Sequence, residues 1–98
     1  MNKQTIAVLL VQIDCLIPMA QSLKHKRAVI KSAIERLRKR FNASVVESAY
    51  QDKWQRCMIS FCAVSTERSL LQSLPEKVRM TLEELHELQV CDMQLQWL

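Results

Sequence analysis

Ninety-eight residues, 49% of them hydrophobic and 24% charged, suffice for one domain over residues 1–98 with a real core, close to the commonest domain size. No apolar run approaches the roughly 20 residues of a membrane-spanning helix, and Ile6–Val11 is too short and too weakly flanked for a secretory signal. The chain contains no glycine and carries a net charge of +4, which excludes glycine-rich phosphate loops, and neither a GxSxG elbow nor an HExxH helix occurs.

Thr5–Asp14 (TIAVLLVQID) is almost continuously apolar and branched, the pattern of a strand buried on both faces. Pro18 ends it, and Ser22 opens a predicted helix to about Phe41, stopped at Asn42. At 100° per residue, Leu23, Ile30, Ala33, Ile34, Leu37 and Phe41 share one core-facing arc of about 100°. Ala43–Tyr50 reads as an edge strand, 51–55 (QDKWQ) as a turn and Arg56–Ser65 (RCMISFCAVS) as a second strand apolar on both faces. Leu71, Leu74, Val78, Leu82 and Leu85 mark a second amphipathic helix that Pro75 should kink or restart. In the last segment Cys91, Met93, Leu95 and Trp97 alternate with Asp92, Gln94 and Gln96, as in an edge strand.

The order βαββαβ, with right-handed crossovers and short connections, predicts an α+β ferredoxin-like domain: a four-stranded antiparallel sheet, order 4-1-3-2, with two helices on one face. The other face is then open. Ile6, Val8 and Leu10 alternate with Ala7, Leu9 and Val11, so one set is left as apolar surface of the kind that marks an interface. A homodimer through that face is the expected cover. Cys15, Cys57, Cys62 and Cys91 form no CxxC pair and lie among apolar residues. They read as buried free thiols of a cytoplasmic protein. His25 and His86 have no ligand spacing around them, so neither a metal nor another cofactor is expected.

The charges are concentrated in SLKHKR, residues 22–27, and the helix it opens. Between Ser22 and Asn42 there are eight Lys/Arg and one acid, Glu35. Cations at a helix start oppose the outward-pointing amides there. In the predicted topology this start meets the hairpin and the acidic tail of the second helix, so Glu47, Asp52, Glu83, Glu84 and Glu87 are the expected internal partners. Lys24, Arg27, Lys31 and Arg38 fall within about 60° on the helix, a basic stripe of the sort that binds nucleic acid. Lys26 falls inside the apolar arc, where its ammonium must snorkel or pair. Trp54, at the hairpin tip, reads first as a lid over the sheet end and second as a stacking surface for a base. Phe61 stands without the strand-face aromatics of a typical single-strand reader.

Residues 17–56, IPMAQSLKHKRAVIKSAIERLRKRFNASVVESAYQDKWQR, resemble the YlxP-like family, bacterial domain of unknown function 503. SLKxKR, RFN and QDxWQR stand in the family's order and spacing. Met19 stands where the family prefers glycine, Gln21 where it prefers histidine, and His25 replaces a common acid. The resemblance implies a ferredoxin-like fold and genes found among those of translation. The expected function is a non-enzymatic accessory factor binding RNA or ribosomes, with Lys24, Lys26, Arg27, Lys31, Arg38, Trp54 and Arg56 as the anion-binding candidates. The alternative is a homodimeric interaction module that uses the open sheet face and binds no nucleic acid. Catalysis is the least supported reading. Acylphosphatases share this fold but need a glycine-rich anion cradle, and nothing supplies a base for a nucleophile near Asp14, Cys15 and His25.

Overall fold

The computed structural model describes residues 5–98, and the first four residues of the expected domain lie outside the described residues. Seven elements follow in order: β1 (Ala7–Leu16), α1 (Leu23–Arg40), β2 (Ser44–Ala49), β3 (Arg56–Ser65), α2 (Arg68–Gln72), α3 (Leu74–Glu83) and β4 (Gln89–Trp97). The strands form one antiparallel sheet, β2-β3-β1-β4. This is the expected 4-1-3-2 counted from the opposite edge, and the architecture is ferredoxin-like α+β.

The core lies between the sheet and the helices. Leu9, Val11, Ile13 and Cys15 of β1 and Cys57, Ile59, Phe61 and Ala63 of β3 point into it, with Val29, Ile30, Ala33 and Leu37 of α1 and Leu71, Val78 and Leu82 opposite. The buried arc of α1 is turned by about 40° from the sequence expectation. Val29 and Lys26 are buried, while Leu23, Ile34 and Phe41 are only half-buried. Ser22 caps the helix by accepting from His25 N at 3.0 Å, satisfying one of the four free amides. The far end does not stop at Asn42. Phe41 leaves the helix in an extended conformation, its ring edge-on to Phe61 with centroids 5.7 Å apart.

Pro75 restarts the second helix rather than kinking it. It sits in the first turn of α3, where its missing N–H costs nothing. The edge strand β4 departs from plain alternation. The register slips between Asp14 and Cys15, so Cys15 faces Val90 and Cys91 is the extra residue. The bulge takes Cys91 out of the row with Met93 and Trp97 and puts Val90 on the core instead. Cys91 is therefore exposed and Cys62 half-buried. Only Cys15 and Cys57 are buried thiols, and all four are free.

The helix-free face is apolar over only part of its area. The register pairs Val8 with Val64 and Leu10 with Cys62, but Gln12 with Ser60 and Gln94. Ile6 at 61%, Val64 at 64% and Val46 at 49% exposure make the apolar portion. Among the described residues no helix is long and apolar enough to cross a membrane.

Candidate nucleic-acid interface

The antiparallel order puts the end of β1, the start of α1, the β2–β3 hairpin and the segment after α3 at one end of the sheet. Two of the opening cations, His25 and Lys26, meet partners there. His25 Nε2 lies 2.7 Å from Glu87 Oε2. Lys26 is 1% exposed, with its ammonium 2.9 Å from Glu47 Oε2 on β2, and it also donates to the Tyr50 carbonyl. The bond to Tyr50 O carries the directional part. Glu47 Oε2 is buried and accepts no aligned hydrogen bond, so its contact with Lys26 is Coulombic.

Tyr50 explains how the hairpin presents its carbonyl without a glycine. At φ 62° it is the one residue with positive φ among those described, a conformation costing roughly 1–2 kcal/mol for a side chain with a Cβ. The Tyr50 carbonyl also accepts from Lys53 N at 3.0 Å, which closes the turn. Its ring lies under the Arg56 guanidinium, 3.9 Å from centroid to Cζ. Arg56 in turn grips Asp14 through Nε and Nη2 at 3.2 and 2.8 Å. These hydrogen bonds hold the Asp14 carboxyl below its ordinary pKa and raise that of Arg56.

The remaining expected acids are distributed otherwise. Glu84 answers the second half of α1, reaching Arg36 at 3.0 Å and Arg40 at 2.7 Å. α3 is short, so its C-terminal end lies beside the second half of α1 rather than at its start. Glu83 and Asp52 make no ion pair among the described residues. Five of the eight cations between Ser22 and Asn42, namely Lys24, Arg27, Lys31, Arg38 and Lys39, have no acidic partner there. Arg27, Lys31 and Arg38 border a cleft of about 320 Å³ between α1 and β2, together with Ile30, Ile34 and the carboxylates Glu35 and Glu47. Arg38 spends one N–H on the Val45 carbonyl at 2.7 Å.

The candidate residues therefore divide. Lys24, Arg27, Lys31 and Arg38 form one exposed ridge. Lys26 is committed inside the domain, its ammonium buried and paired, and Arg56 stands at the surface with two of its N–H groups spent on Asp14. Trp54 lies at the sheet end with Leu16 and Tyr50 and is 51% exposed, so half of its surface stays in water. Sequence reasoning missed Tyr50, whose role depends on a backbone angle that composition does not reveal. The Cys15 neighbourhood offers no nucleophile. Its bond with the Cys57 thiol and its burial raise its pKa, which disfavours the reactive thiolate. Among the described residues no three His, Cys, Asp or Glu come together as a metal site.

Residues 8–95 match the family described as "Protein of unknown function (DUF503)". The chain is 34% identical over 84 residues to the "Uncharacterized protein YlxP" of Bacillus subtilis (strain 168), a match covering 86% of this chain and 91% of that protein. This chain belongs to the DUF503 family.

Proposed function

We propose that this protein is a non-enzymatic accessory factor of the cytoplasm that binds structured RNA, the ribosome's included, through the basic ridge of α1. The observation that carries the reading is the charge left after internal pairing: Lys24, Arg27 and Lys31 are exposed and make no ion pair among the described residues, and Glu35 is the one acid of their own helix. They recur at turn spacing over about 10 Å of helix, and Arg38 continues the line by as much again. Such a row suits successive phosphates of one backbone, where affinity comes from charge and release of counterions. The setting among translation genes implied by the family resemblance points to the same class of partner.

The test is a salt series of binding to a stem-loop RNA. Wild type should bind at low salt with affinity falling as salt rises. Changing Lys24, Arg27 and Lys31 together to alanine should flatten the log–log slope by about 2–3. Absence of binding at low salt, or an unchanged slope in the triple variant, overturns the reading.

A second reading rests on Ile6, Val46 and Val64, which are exposed on the helix-free face. It makes the protein a homodimer through that face. Sedimentation equilibrium decides it, and a monomer at every concentration ends it.

A further inference from the structure

The hairpin end of the sheet contains a hollow that the ridge of α1 does not use. It measures about 530 Å³, within the range of small-ligand sites, and is lined by Leu16, Tyr50, Lys53, Trp54, Gln55 and Arg56. No carboxylate lines it, since both Asp14 oxygens are taken by Arg56. Its floor is fixed: the Lys26 ammonium and the Lys53 amide hold the Tyr50 carbonyl, and the Tyr50 ring is set under Arg56. Its rim is not engaged. Trp54 has half its surface in water, and Lys53 makes no ion pair among the described residues. Gln55 spends its amide N–H on Ala20 O at 3.3 Å, which turns its carbonyl oxygen into a fixed acceptor.

A free indole face, an ammonium beside it and an amide acceptor suit a flat, polar-edged ring that carries an anion. We propose that this hollow takes one unpaired nucleobase of a structured RNA, stacked on Trp54 with its phosphate on Lys53. The inference rests on the RNA-binding reading and deepens it. Lys26 ties the first turn of α1 to the Tyr50 carbonyl beneath the hollow, so the start of the ridge and the hollow lie at the same end of the sheet. Base–aromatic stacking tolerates sequence, so the preference is for an unpaired base rather than for one base identity.

The experiment compares two RNAs of equal length, an uninterrupted stem-loop and the same stem with a single 2-aminopurine bulge. Wild type should bind the bulged RNA about 5- to 150-fold more tightly, the span expected of one stacked base, and should quench the 2-aminopurine. Trp54→Ala should erase both effects while leaving stem-loop affinity in place, and Trp54→Phe should keep most of the preference. Equal wild-type affinity for the two RNAs, or equal weakening of both by Trp54→Ala, overturns the hollow alone and leaves the ridge standing. If wild type binds neither RNA, the ridge falls and the hollow with it.

Discussion

Lys26 is the residue on which the hairpin end depends. A lysine in a helix's apolar arc is tolerable only where something meets its ammonium, and Glu47 with the Tyr50 carbonyl does so. Replacing Lys26 by methionine keeps the apolar stem and strands the Glu47 carboxylate. Removing one partner of a buried pair costs about 3–5 kcal/mol, and the partial exposure of Glu47 lowers the expectation to about 2–3 kcal/mol. Urea unfolding of Lys26→Met should show that loss, and adding Glu47→Leu should restore most of it. An equal loss in the double variant would mean that Lys26 acts through its bond to the Tyr50 carbonyl and not through Glu47. The sequence placed Lys26 in the arc and required a partner, but helical periodicity carries no information about which strand carbonyl arrives there. Asp14 gives a pH test. Its pKa is lowered in the fold, chiefly by the hydrogen bonds from Arg56, so the folded state binds its proton less readily than the unfolded chain. The stabilisation is present above the unfolded value near 4 and is lost as pH falls through the depressed folded value. Arg56→Met should therefore reduce stability at neutral pH and flatten its decline on acidification. A decline as steep as in wild type would assign it to other carboxylates.

At the scale of elements, α1 begins with no acid in its first turn and three basic residues in its last. The last turn favours cations, while the start depends on its cap. Ser22→Ala should cost about 1 kcal/mol and Ser22→Asp little or nothing, because aspartate both caps the helix and opposes its dipole. Equal losses in the two variants would show that the Ser22 bond to His25 N is dispensable. Local chemistry made this start legible, as it did the restart at Pro75, whose fixed φ and missing N–H permit few alternatives. Element order likewise gave the sheet order. The bulge at Cys91 was not legible. Alternation along β4 is intact in sequence, and the slip is set by how the strand meets β1 beside Asp14 and Cys15. The end of α1 was misplaced by one residue for a similar reason, since the packing of Phe41 on Phe61 is a tertiary event.

In the whole molecule the basic ridge lies in the helical layer, and the apolar patch around Val8, Val64 and Ile6 lies on the opposite side of the sheet. The two surfaces can therefore be separated by mutation. The ridge was legible because helical spacing alone aligns Lys24, Arg27, Lys31 and Arg38. Which cations remain unpaired depends on where Glu47, Glu84 and Glu87 land, and that is fixed by the third dimension. The patch was overestimated, because residues alternating along β1 become polar beyond Leu10. Val64→Glu places a carboxylate where a second copy would bury it, and this residue is already largely in water, so the monomer should fold normally. If the sheet face is the dimer surface, sedimentation should show dimeric wild type and monomeric Val64→Glu. RNA affinity per protomer should then change little, unless both ridges of a dimer engage one RNA. In that case losing the dimer should weaken binding to long RNAs and spare short stem-loops, because linked sites gain through effective concentration. Equal weakening on both lengths would show that the variant disturbs the ridge itself, and the two surfaces would then have to be treated as one.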